Sequence, residues 1–463
     1  MMDARAALQD LLTLAERQPA ADDEIVITGR DPVLPTNFLL GTAGSAAIAA
    51  VGVAAADLWY VRSGRRQHVT LDMRAAAAAL RSDRYLRIDG KPPPNPWGRI
   101  SGFYQTRDGR WIQLHCNFPH HRDGVLALLG CDNDATAVAQ AVATWDGQRL
   151  EDALAEAQMC AGLVRSREEW SAHPQGRAIA QLPLFEIIKI GDSSPEPLGT
   201  GSRPLAGMRV LDLTRVIAGP VGGRTLAEHG AEVMRIDAPH LPNIPNLVID
   251  TGHGKLSVHL DLGLGADAEQ LRALVRGADV FSQSYRPQTL ASRGFSPEAL
   301  AALRPGIVYV TLSAYGHQGP WRLRRGFDTL VQSVSGIVHE ETTGDKPQHL
   351  PAQALDYVSG YLMAFGAMVA LARRAREGGS YLVQVSLAQT AQWIHRLGRL
   401  AAGLDGQRHP DLRIEDIQDL LIASDTPFGR LRHVAPAVQL SETPPYWARP
   451  TVPLGFHEAV WPT

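Results

Sequence analysis

Cysteine is nearly absent from this 463-residue chain, with only Cys116, Cys131 and Cys160, at spacings that fit neither a CxxC pair nor a zinc knuckle. That scarcity excludes a disulfide framework and points to a reducing compartment, read here as the cytoplasm. An excess of one charge is also missing. Lys and Arg number 45 against 48 Asp and Glu, a formal net charge of −3, so the broad cationic face required by a nucleic acid or an anionic membrane is not expected. A membrane span is not read in the chain either. The most apolar early stretch, Gly44 to Val61, is mostly alanine, contains Asp57 and leads into Arg62, Arg65 and Arg66, so it reads as a buried helix. The opening MMDARAALQDLLTLAERQ carries neither the basic segment nor the cleavage pattern of a secretory leader. What remains is 45% hydrophobic and 20% charged, the balance of an ordinary globular protein with length for two or three domains. The expected partner is a small molecule, with no nucleic acid and no membrane.

One break in composition organises the chain. The run GDSSPEPLGTGSRPLAG from Gly191 has no apolar period and reads as a linker over 191–206. After it, strands are expected at Val210–Leu213, Glu232–Asp237, Ser257–Leu260, Asp279–Gln283 and Ile307–Leu312. A Gly-rich loop is expected at Val216–Gly223, followed by a helix over Arg224–His229. Such alternation predicts an α/β fold, a Rossmann-like parallel-sheet large domain over 207–463 with its ligand crevice at the carboxyl ends of the strands. Before the linker, residues 74–190 read as a smaller α+β domain. It holds a hairpin from Gly102–Tyr104 to Trp111–Leu114 and helices near Ala135–Ala143 and Leu150–Cys160. Residues 1–73 hold a further segment, because GSAAIAAVGVAAADLWYVRSGRRQHVTL from Gly44 resembles GYLMAFGAMVALARRAREGGSYLVQVSL from Gly360 (360 − 44 and 385 − 69 both give 316).

Several constellations can be weighed on their chemistry. AGPVGG at 218–223 lacks the G-x-G-x-x-G order and carries Pro220, so a dinucleotide reading is weak and Asp237 reads as a plain strand-end acid. His115, Cys116, His120 and His121 read as a strand end and polar loop, and no metal site is expected. Asp356 precedes an apolar run of small residues, which places it in the first turn of a buried helix, where the helix dipole favours an ionised carboxylate.

Ordered motifs then give these residues a context. GMRVLDLTRVIAGP, GAEVMRIDAP, FSQSYRPQTLASRGF, PGIVYVTLSAYGHQGPWRLRRGFDTLVQSVSG and QALDYVSGYLMAFGAMVALARR, read together, resemble the family III CoA-transferases of the CaiB/BaiF type. GFYQTRDGRWIQLH resembles that family's small domain, and SDTPFGRLRHVAPAVQLSETP its C-terminal return to the large domain. The order departs from the family's, since the small domain comes first here, behind a copy of the Asp356 helix. An offset of 316 puts Leu40 where that copy should carry its aspartate.

The resemblance implies CoA transfer between an acyl-CoA donor and a carboxylic-acid acceptor, through a covalent intermediate on Asp356. Coenzyme A is then a substrate, no cofactor is held permanently, and the assembly is a homodimer. It also implies contacts to CoA from Ile217, Ala218, Leu260, Leu262, Ser284, Tyr285, Arg286, Arg325 and Phe327. Ala238 and Gly263 stand where the family has an adenine-stacking arginine and a lysine. Phe327 stands where the racemase branch has its histidine, which favours transferase over acyl-CoA racemase. A catalytically silent CoA-binding subunit is the other alternative. The identities of donor and acceptor are not legible.

Overall fold

The computed structural model describes residues 2–18, 24–286, 288–400 and 411–462. Its centre is a seven-stranded sheet built from β1 (Phe185–Gly191), β2 (Arg209–Leu213), β3 (Glu232–Asp237), β4 (Lys255–His259), β5 (Val280–Gln283), β6 (Val308–Ser313) and β7 (Ser380–Ser386). The spatial order is β4-β3-β2-β5-β6-β7-β1. All neighbours run parallel except β1, which lies antiparallel to β7. Val, Ile and Leu dominate these strands because helices cover both faces, leaving no side free for polar residues. Connections leave β2 toward one edge and β5 toward the other, so the switch point, where such sheets open a crevice, falls between those two strands.

β1 belongs to this sheet although it precedes the linker. The sequence boundary at 190 therefore cuts through an edge strand, whose sequence FEIIKIG cannot by itself reveal which sheet it joins. The smaller unit is a separate three-stranded antiparallel sheet, Gly102–Gln105, Trp111–Leu114 and Ala161–Leu163, covered by short helices. Its third strand follows the Gly147–Glu156 helix, which stops short of the predicted Cys160.

Two 24-residue helices, Leu40–Ser63 and Ala354–Glu377, are buried on nearly every side. Both are long and apolar enough to cross a membrane, yet they pack against each other inside the protein. Small residues let other elements approach these helices closely. Gly44 faces Leu80, Gly52 faces Val69 and Val438, and Gly366 faces Val383. The two helices begin with matching N-cap backbones, Leu39 at φ −78, ψ 62 and Gln353 at φ −77, ψ 59. They end on Gly64 and Gly378, and the helices that follow start from the N-caps Asp72 and Ser386. Each of these pairs is 314 residues apart (353 − 39, 378 − 64 and 386 − 72). This corrects the expected register of 316 by two residues, so the counterpart of Asp356 is Thr42 rather than Leu40. Alanine-rich helices align equally well in several registers, whereas cap geometry fixes only one.

The chain's last described strands dock on its beginning. The Leu421–Thr426 and Gly429–Val434 hairpin pairs with Arg87–Ile88, and Val438–Leu440 pairs with Val69–Asp72.

Candidate active site

The crevice forms where β2 and β5 end. Between β2 and the next helix the chain turns sharply at Val216, whose φ of 71° is costly for a β-branched residue and marks a backbone held by its surroundings. Buried Lys255 helps hold it, with Nζ donating to Asp212 Oδ2 and to the Pro220 carbonyl, both at 2.7 Å. Burial lowers the Lys255 ammonium to about 8 even beside that carboxylate. The helix starts at Ala218, not at Arg224 as the glycines suggested. Pro220 is tolerated because the first turn has no intrahelical N–H bond to lose. The glycines serve packing: a Cβ on Gly222 would lie 3.0 Å from the Gly360 carbonyl, and one on Gly223 3.0 Å from Lys255 Nζ.

Asp356 lies in the first turn of its helix and is 8% exposed. Behind it is Asp328, 2% exposed, at the start of the Asp328–Val334 helix. The Asp328 carboxylate accepts from the Asp356 amide at 2.9 Å and from Gln332 Nε2 at 2.5 Å. Burial raises the pKa of both acids, and in Asp356 the neighbouring Asp328 charge raises it further. The Leu40 helix repeats the capping part of this arrangement. Asp31 accepts from the Gly41 and Thr42 amides at 2.9 and 2.8 Å, with a hydroxyl where Asp356 has its carboxylate.

Asp356 sits where two cavities meet. The larger is a cleft of about 590 Å³, to which Ile217, Ala218, Ser284, Tyr285, Arg286, Arg325 and Phe327 all contribute. Leu260 and Leu262 lie instead in an adjoining chamber of about 420 Å³, together with Ala238 and Gly263. His240, Leu241, Tyr285 and Thr289 border both spaces, which makes them one elongated groove. Arg293 also lines the chamber, a cation at the end where Ala238 and Gly263 supply none. The smaller cavity beside Asp356, about 290 Å³, shares Val216, Ile217 and Phe327 with the cleft.

Charge in the cleft is one-sided. Arg215, Arg286, Arg322, Arg324 and Arg325 line it, and Asp356 is the single acid among its described lining residues. Arg286 reaches Gln158 at 2.6 Å and Arg325 reaches His121 Nε2 at 3.3 Å, so the smaller unit closes one side. Arg215, Arg322 and Arg324 were missed, although the WRLRR run at 321–325 signals a cationic loop. His115 was missed too. Its ring stacks on Phe327 with centroids 3.9 Å apart, and it lines the smaller cavity with Asp356. No sequence spacing could have placed a strand-end histidine of one unit against a loop of the other. Asp237, by contrast, is occupied, accepting from Arg235 at 3.1 Å and from the Ala238 amide.

The site is thus an arginine-lined groove at the switch point of a doubly wound sheet, ending on a buried carboxylate, and such cationic grooves suit anionic ligands. The chain belongs to CoA-transferase family III, whose family model matches residues 25–182 and 205–410. It is 32% identical over 324 residues to the acetyl-coenzyme A transferase of Hypoxylon pulicicidum, covering 64% of this chain and 54% of that protein. It is 30% identical over 419 residues to an acyl-CoA transferase of Gibberella moniliformis, covering 78% of this chain and 73% of the relative. Among solved structures, a hypothetical protein of Mycobacterium tuberculosis is 34% identical with a TM-score of 0.40, covering 42% of this chain and 58% of the other. The chain thus spans about half the length of the first relative and about three quarters of the second.

Proposed function

We propose that the protein transfers coenzyme A from an acyl-CoA donor to a carboxylic-acid acceptor, with Asp356 as nucleophile. The observation that carries this is the position of Asp356, a buried carboxylate at the meeting of a long cationic groove and a second, smaller cavity. The groove suits the phosphates and pantetheine arm, and the smaller cavity suits the acid. Ile217, Ala218, Ser284, Tyr285, Arg286, Arg325 and Phe327 take the arm, while Leu260 and Leu262 flank the nucleoside end.

The Asp356 carboxylate adds to the thioester carbonyl, and collapse breaks the C–S bond to give a mixed anhydride and CoA thiolate. The thiolate attacks the aspartyl carbonyl, expels the donor carboxylate and leaves an aspartyl-CoA thioester. An acceptor carboxylate then adds to that thioester, and the released thiolate takes the acceptor's acyl carbon, returning Asp356 as a carboxylate. No net proton or electron is consumed. Burial serves the sequence twice, raising the basicity of the nucleophile and excluding the water that would hydrolyse an anhydride.

The test is trapping. Hydroxylamine added during turnover should convert Asp356 to its hydroxamate, found by mass spectrometry in the Ala354–Arg373 peptide only when donor is present. Asp356→Asn should lose CoA exchange, and retained turnover in that variant rejects the assignment. The proposal includes a homodimer in the cytoplasm, the former checked by light scattering.

One observation favours a second reading, an acyl-CoA racemase. His115 supplies, beside Phe327, the imidazole that the chain lacks at 327 itself. Burial first, then His349, lowers its pKa to about 4, so the ring is neutral, and among the described residues its Nδ1 has no hydrogen-bond partner. Deuterium uptake at the α-carbon of a 2-methylacyl-CoA in heavy water would select that reading, and CoA exchange without uptake selects transfer.

A further inference from the structure

Resting on the transferase reading, we infer that His121 is a positioning residue for coenzyme A: its Nε2 fixes the Arg325 guanidinium in the cleft through a hydrogen bond that leaves the positive charge intact. Arg325 lines the cleft from the large unit and His121 lines it from the smaller one. They meet at 3.3 Å, Arg325 Nη1 to His121 Nε2. Among the described residues this is the only hydrogen bond of that guanidinium, and no carboxylate pairs with it.

The direction of the bond follows from the groups around it. A guanidinium carries only N–H donors, so the imidazole nitrogen must accept. The Cys160 sulfur lies 3.6 Å from the same nitrogen, and burial pushes that thiol up to about 12, so it too keeps its proton. The His121 lone pair therefore sits on Nε2 and the ring proton on Nδ1, which has no partner among the described residues. Burial first, then His120, His115, Arg325 and Arg215, holds the ring's pKa down at about 3, so it is uncharged at neutral pH.

The ring has little freedom. It is 5% exposed and meets Phe118, His120 and Phe327 edge-on, at centroid distances of 5.8, 4.1 and 5.8 Å. A neighbouring arginine is held differently, since Arg324 lies 3.6 Å from the Glu151 carboxylate, which offsets its charge. A neutral acceptor orients a guanidinium without offsetting it. Arg325 thus keeps its charge and its other N–H groups for an acceptor in the cleft, and binding no longer has to order that side chain. A buried imidazole with one nitrogen unpaired costs stability, and the arginine it holds accounts for that cost.

The experiment measures binding of coenzyme A to the full chain by calorimetry, beside adenosine 3′,5′-bisphosphate, which lacks the pantetheine arm. His121→Phe keeps a ring and loses the acceptor. It should weaken coenzyme A about 10-fold, the scale of a hydrogen bond to a charged group, while the bisphosphate binds as before. His121→Gln, whose amide oxygen reaches toward the Nε2 position, should restore most of the affinity. In an Arg325→Ala background His121→Phe should have no further effect, because the two residues act through one bond. Equal losses for both ligands, a loss that persists in the Arg325→Ala background, or unchanged coenzyme A affinity in His121→Phe would each overturn the inference and leave His121 a packing residue. The reading beneath it fails separately. A wild type that binds no coenzyme A removes both, whereas His121-dependent binding with CoA exchange retained in Asp356→Asn removes only the nucleophile and leaves the positioning role standing.

Discussion

Asp356 and Asp328 share one buried environment, and each governs the proton of the other. In the proposed mechanism, attack on a thioester requires ionised Asp356. Its pKa is raised first by burial and then by the Asp328 charge, so activity should fall as pH drops through a value above the ordinary carboxylate range. Asp328→Asn removes the like charge while keeping an oxygen to accept the Asp356 amide. The Asp356 pKa should then drop, and the acid limb of kcat/KM for the acyl-CoA donor should move down by about one pH unit, the scale on which neighbouring carboxylates perturb each other. Plateau kcat should fall as well, because a neutral amide grips the helix N-terminus more weakly than a carboxylate. A limb that stays in place, measured from pH 4 to 8, would show that Asp328 only caps the helix.

At the level of elements, the site depends on how closely the Ala218 helix can approach the Asp356 helix. A Cβ on Gly360 would run into the Ala218 carbonyl and lie 2.9 Å from the Val221 Cβ. Gly360→Ala should therefore destabilise the protein by about 1–3 kcal/mol, the usual cost of overpacking, read as a lower urea midpoint. It should also lower kcat, since the shift it forces moves Ala218 away from a carboxylate one turn distant. The contact explains what was legible beforehand. Most strands of the sheet, the hairpin, the Asp356 helix and the crevice at the strand ends were readable, because apolar period and turn residues are local signals, whereas the edge strand β1 was not. The glycines at 222 and 223 were read as part of a loop because a glycine needed for helix contact and one needed for a turn look alike in sequence. Likewise, the copy of the Asp356 helix was legible but its register was not. The capping carboxylate of Asp31 distinguishes Thr42 from Leu40, and it comes from a loop ten residues upstream of Gly41. His115 lay beyond reach for the same reason, being brought to Asp356 by the packing of one half of the chain on the other.

At the scale of the molecule, one joint between those halves is built around a buried carboxylate. Glu151, fully buried in the smaller unit, accepts from Arg165 Nη1 at 2.9 Å and Nη2 at 2.5 Å and from the Leu163 amide at 2.8 Å. Arg324, which lines the cleft, lies 3.6 Å from the same carboxylate, and the Arg165 amide donates to the Ser333 carbonyl at 3.1 Å. Burial alone would raise the Glu151 pKa, yet the hydrogen bonds and charges of Arg165 and Arg324 outweigh it and hold the carboxyl at about 2. Because this pKa is depressed, the unfolded chain binds the extra proton between pH 2 and its own ordinary value near 4.3. Stability from this group is therefore complete above that ordinary value and is lost as pH falls toward 2. Glu151→Gln should cost about 3–5 kcal/mol at neutral pH, since it leaves two guanidinium groups buried with one carboxylate fewer. It should also flatten the dependence of the urea midpoint on pH between about 5 and 2, because the titrating group is gone. Arg324 would lose its anchor at the same time, so the KM for the CoA donor should rise along with the loss of stability. If the midpoint at neutral pH is unchanged and the acid slope persists, the two halves are joined by apolar contact alone and the cleft does not depend on this pair.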